Sequence, residues 1–137
     1  MTAPVLRALA FGVGILLLAD AMWVMVLMST TYPTALAWAL QSSPAITAFT
    51  VAYLAPRKKI LLGMSMVIFA ASLASAAKLV YGALGLPTDL PGIRGARIVF
   101  TIALVSGSIL CAIGTAAGYF LSRKHTQPGM TEANTGS

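Results

Sequence analysis

A carboxylate in the middle of an apolar run constrains this chain more than any other feature. Residues 11–28, FGVGILLLADAMWVMVLM, are apolar throughout except for Asp20. The run is long enough to cross a bilayer, since about 20 residues of helix span the hydrocarbon core. A charged carboxylate at that depth costs roughly 2.5–3.5 kcal/mol even on the lenient insertion scale, so it has to face protein or water rather than lipid. Three more apolar runs follow and give Asp20 something to face. The expected fold is therefore an all-α integral membrane protein: a four-transmembrane-helix bundle with spans at about 5–29, 33–55, 60–84 and 93–121.

Only 9% of the 137 residues are charged and 58% are hydrophobic, against about 25% charged in soluble domains. The four runs leave no room for a separate soluble domain, so residues 1–125 read as one membrane-embedded unit. Residues 126–137 are small and polar, and read as a disordered cytoplasmic tail. The formal charge of +6 comes from basic residues at the ends of the apolar runs. There they set topology and meet the head groups of the lipid bilayer, which argues against a nucleic-acid partner. The single cysteine, Cys111, rules out an internal disulfide and reads as a small packing residue in mid-span. Arg7, the apolar run 8–18 and Ala19-Asp20-Ala21 imitate a cleavable signal peptide. The run continues unbroken to Met28, so a retained first helix is expected.

The second span is interrupted by Gln41, Ser42, Ser43 and Pro44. Proline removes a backbone donor and clashes with the preceding turn, which predicts a kink at Pro44 that bends the helix near Leu40–Gln41. Residues 85–92 (GLPTDLPG) are turn chemistry. Arg7, Arg57, Lys58, Lys59, Arg123 and Lys124 fall on one side of the expected membrane, while Arg94 and Arg97 fall on the other near Asp89. By the positive-inside rule both termini are cytoplasmic and the location is the cytoplasmic (inner) membrane, multi-pass. His125 reads as a solvated residue at the end of the last helix.

Counted inward from the outer ends of the spans, Asp20, Gln41, Lys78 and Thr101 all lie about 12–15 Å deep at 1.5 Å per residue. Their helix faces carry small residues: Ala71, Ala74, Ser75 and Gly82 around Lys78, and Ala37, Ala45 and Ala48 around Gln41. A further stripe in the fourth span, Ala103, Gly107, Cys111, Gly114 and Gly118, marks a packed face, because small residues let helices approach closely in membranes. Asp20, Gln41, Ser42, Ser43, Lys78 and Thr101 are thus candidates for a binding or coupling site. Arg94 and Arg97 are candidates for an outer vestibule, and Gly107, Gly114 and Gly118 for helix packing. Trp23, Trp38 and Tyr81 are available to stack on a ligand.

Two functions fit this pattern. The first is a small oligomeric transporter or channel-like protein, a dimer for instance, with the fourth-span stripe as the interface to a second copy. The second is a non-catalytic accessory or assembly subunit of a larger membrane complex, in which Asp20 and Lys78 form a structural ion pair. An enzyme is not expected: the spans carry no histidine, no carboxylate pair and no metal-ligand spacing, and no cofactor is implied. The layout resembles the small multidrug-resistance transporters in having four spans and an acid in the first. It departs from them in an Asp for the Glu, in extra length, and in a lysine in the third span that would repel a cationic drug.

Overall fold

The computed structural model describes residues 2–29, 31, 33–86, 90 and 92–126. Among these the secondary structure is helical, without strands. The helices are α1 (Ala3–Met28), α2 (Thr34–Gln41), α3 (Ser43–Leu54), α4 (Lys59–Ala83) and α5 (Gly92–Thr126). Three of them, α1, α4 and α5, are long and apolar enough to cross a membrane. Their outer faces expose large apolar side chains such as Phe11, Leu18, Met25, Ile68, Val105 and Ile113. A water-soluble monomer does not carry so much contiguous apolar surface.

The helix ends follow from local chemistry. Pro4 stands in the first turn of α1, where its missing N–H is one the helix would leave unpaired anyway. At the other end of α4 the Leu86 N–H bonds the Tyr81 carbonyl (3.0 Å) and the Gly85 N–H bonds the Gly82 carbonyl (3.2 Å). Gly85 adopts φ 73°, the left-handed conformation this stop requires and glycine takes without a Cβ penalty. α5 runs past the expected end at Leu121 and takes in Arg123, Lys124 and His125, whose charges suit a helix C-terminus. His125 is exposed, but it is more than a solvated end residue, since its ring meets Tyr53 edge-on at 6.3 Å. Thr126, expected in the tail, closes the helix; the expected disorder of 127–137 and the position of Asp89 lie outside the described residues.

The second apolar run is built as two helices. α2 ends at Gln41 and α3 begins at Ser43, with Ser42 between them at φ −84°, ψ 0°. Pro44 offers no N–H to the Leu40 carbonyl. The Ala45 N–H, which a continuous helix would give to Gln41, bonds the Ser42 carbonyl instead (3.0 Å).

Residue pairings set the helix directions. Gly12 lies against Val51 and Met66, and Asp20 is reached by Tyr81, so α1 and α4 run the same way. Gly114 meets Ala45 and Gly118 meets Phe49, so α3 and α5 also run together. The Ser75 hydroxyl bonds the Ala96 carbonyl (3.0 Å) while Gly63 faces Thr115, so α4 and α5 are antiparallel. The largest fully buried side chains are Met66, Val51, Thr47 and Cys111, where α3, α4 and α5 meet. A second apolar cluster joins Ala19 and Val26 of α1 to Leu40 of α2.

The small-residue stripe of α5 is covered within the chain. A Cβ on Gly114 would collide with the Ala45 carbonyl oxygen, one on Gly118 would lie 2.5 Å from the Phe49 oxygen, and Gly107 faces Val67 of α4 at 4.0 Å. The Cys111 thiol donates to the Pro44 carbonyl at 3.4 Å. These glycines lie against α3 and α4 of the same molecule. The stripe is therefore not the interface for a second copy, because α3 already fills it.

Candidate functional site

Between the helices lies a cavity of about 430 Å³ to which all five contribute. Its space comes from side chains too short to fill it. Ala70, Ala74 and Ala77 of α4 and Ala103 of α5 stand on the wall, spaced by three, four or seven residues on one helix face in α4. The interruption around Pro44 adds to it by carrying Gln41 and Ser43 onto the wall from two separate helices.

Polar groups reach this space from every direction. α1 supplies Asp20, α2 Gln41, α3 Ser43, α4 Lys78 and Tyr81, and α5 Ser106. The Tyr81 hydroxyl donates to the main-chain carbonyl of Asp20 (2.5 Å), tying α4 to α1 while leaving the Asp20 carboxylate unused. The Ser106 hydroxyl is returned to its own helix, at the Ile102 carbonyl (2.8 Å). Among the described residues the Asp20 carboxylate, the Gln41 amide, the Ser43 hydroxyl and the Lys78 ammonium make no hydrogen bond to protein, and no ion pair within 4 Å joins Asp20 to Lys78. Asp20 and Lys78 are both only partly buried, so each keeps its polar head at the cavity.

Four of the six candidates for a binding or coupling site are thus brought together: Asp20, Gln41, Ser43 and Lys78. Two are not. The Ser42 hydroxyl turns back to the Ala39 carbonyl (2.8 Å) at the helix interruption, where it satisfies an acceptor the break exposes. The Thr101 hydroxyl donates to the Arg97 carbonyl (3.0 Å) from an exposed position, one helix face away from Val99, Ala103 and Ser106. Arg94 and Arg97 are exposed in the first turns of α5 and do not line the cavity. Of the aromatics, Trp23 and Tyr81 line it and Trp38 is exposed away from it.

Comparison with protein-family models, curated proteins and solved structures returns no match.

Sequence reasoning passed over Ser106. Its signal was spacing: Val99, Ala103, Ser106 and Leu110 fall on one α5 face, next to the glycine stripe rather than on it. Among the described residues no group of three or more His, Cys, Asp or Glu side chains is placed to hold a metal ion. The chemistry at hand is that of one carboxylate, one ammonium and neutral donors and acceptors between mostly apolar walls. That set can bind, orient and exchange protons.

Proposed function

We propose that this chain is a four-pass protein of the cytoplasmic membrane, both termini inside, that binds a small solute in the cavity and serves its movement across the bilayer. α1, α4 and α5 each make one crossing, and α2 and α3 in series make the remaining one. Their 8 and 12 residues, joined through Ser42, extend about 31 Å at 1.5 Å per residue, close to the roughly 30 Å of a hydrocarbon core. The orientation is supported by the basic groups Arg7, Arg57, Lys58, Lys59, Arg123 and Lys124, which gather where α1 and α4 begin and α3 and α5 end. An interrupted helix beside a polar site is a recurring device in membrane transport, because unwound backbone and half-helix ends are free to meet a solute. A pathway through so thin a protein calls for a second copy, docked on a face other than the filled α5 stripe.

The observation that carries this reading is that Asp20, Gln41, Ser43 and Lys78 converge on one cavity without consuming one another's polar groups. A structural role for Asp20 and Lys78 asks them to pair, since a buried charge without a partner is destabilising. The test is a double-mutant cycle in mild detergent with Asp20→Asn, Lys78→Met and both together. With a ligand site, each single variant melts at or above the wild-type temperature, and the coupling stays within about 0.5 kcal/mol. Loss of stability in both singles with recovery in the double would establish the structural pair and end the proposal.

A further inference from the structure

We propose that the ligand of this cavity is a small zwitterion with an apolar body, its ammonium held by Asp20 and its carboxylate or phosphate by Lys78. The inference rests on the reading of the cavity as a solute site. Three observations lead to it. The wall carries one group of each charge, on different helices and with no ion pair within 4 Å between them. The remaining wall is mostly apolar, with Leu16, Leu40 and Leu110 beside the rings of Trp23 and Tyr81. The volume of about 430 Å³ lies at the small end of ligand pockets.

Charge balance then selects the ligand class. A cation satisfies Asp20 but is repelled by Lys78, and an anion satisfies Lys78 but is repelled by Asp20. Either one leaves a charge uncompensated beside apolar walls, which costs more than in open water. A neutral apolar ligand leaves both uncompensated and strips their water as it enters. A molecule carrying both charges pairs each wall group and adds no net charge. Gln41 and Ser43, still free to donate and accept, satisfy the remaining lone pairs and protons of its head. Trp23, the indole on the wall, packs against the apolar body. Two sources share this chemistry: a free amino-acid-like solute and the head group of a zwitterionic lipid such as phosphatidylethanolamine.

The test uses one apolar body in four charge states. Full-length protein with Trp38→Phe keeps Trp23 as its only tryptophan, since the chain has two, and is placed in nanodiscs of phosphatidylglycerol. Trp23 fluorescence is titrated with leucine (zwitterion), leucine methyl ester (cation), N-acetyl-leucine (anion) and N-acetyl-leucine amide (neutral). Leucine binds at least about tenfold more tightly than the other three, as expected when each competitor leaves a wall charge unpaired. Asp20→Asn shifts the preference to N-acetyl-leucine and Lys78→Met shifts it to the methyl ester. Discs that also contain phosphatidylethanolamine separate the sources: lost leucine affinity assigns the zwitterion to the lipid, and unchanged affinity assigns it to a free solute. Tightest binding of the ester, the N-acetyl form or the amide overturns the zwitterion while leaving a solute site standing. No response to any of the four, in either disc, overturns both.

Discussion

Replacing Gly114 and Gly107 by alanine, one at a time, separates a close helix contact from an ordinary one. Both lie inside α5, so both variants gain the same helix propensity, about 1 kcal/mol relative to glycine. Their surroundings differ. A Cβ at Gly107 meets only Val67 Cγ1 at 4.0 Å, whereas one at Gly114 collides with the Ala45 carbonyl oxygen, an atom of the α3 backbone that cannot rotate away. Relief requires α3 and α5 to separate, which belongs at the upper end of overpacking costs, about 3 kcal/mol. Gly107→Ala should therefore be neutral or stabilised by up to about 1 kcal/mol, and Gly114→Ala destabilised by about 2 kcal/mol. At roughly 3–4 °C per kcal/mol for a chain of this length, the two melting temperatures differ by about 10 °C. The assay is built into the protein: Cys111 is the only cysteine and is fully buried in the same interface, so a thiol-reactive fluorophore reports unfolding on a temperature ramp in detergent. Equal melting temperatures for the two variants would refute the α3–α5 contact as described.

Other perturbations probe separate parts of the structure. Below its melting temperature Cys111 should resist a maleimide reagent and label fully once unfolded, as read by mass spectrometry, because it has no exposed surface. Thr115→Val should be neutral or stabilising by up to about 1 kcal/mol in thermal melts, since the Thr115 hydroxyl is buried without a hydrogen bond and removing it removes a desolvation cost. Tyr81→Phe deletes the bond to the Asp20 carbonyl and should cost about 1 kcal/mol of stability by the same measurement. Pro44→Ala restores a donor for the Leu40 carbonyl, so that a continuous helix turns Gln41 off the cavity wall. The melting temperature should hold or rise while leucine binding weakens roughly fivefold, the worth of one hydrogen bond of about 1 kcal/mol.

The three long helices were legible because length and hydropathy alone define them. The expected spans 5–29 and 60–84 differ from α1 and α4 by one or two residues at each end. The interruption of the second run was announced by Pro44, yet its form was not. A missing N–H says that a bond is lost, while the choice between a bent helix and two helices depends on where the Ala45 N–H goes, and that is decided by packing. The cavity was half legible. Depth brings Asp20, Gln41 and Lys78 together, a face of small neighbours marks Gln41 and Lys78, and Ser43 follows from its place in the interruption before Pro44. Thr101 failed by rotation about α5, an error that a depth count cannot detect. The partner of the glycine stripe was not legible, since small residues announce a close approach without saying whose backbone approaches.

The attachment of α1 has a mechanical consequence. Its first half is anchored, with Gly12 wedged against Val51, Met66 and Thr47. Its second half shares an apolar cluster with α2 and bonds α4 through the Tyr81 hydroxyl, while α1 as a whole packs on α3 and α4 but not on α5 among the described residues. The cavity thus lies between a lightly packed side, α1 and α2, and a heavily packed one, α3, α4 and α5. Moving the far half of α1 together with α2 changes the enclosed volume, breaks the Tyr81 bond to Asp20 and gives up packing of α1 on α4, while the contacts among α3, α4 and α5 involve neither helix. The protein is built like a vessel with one thin side, and that side is the helix that carries Asp20.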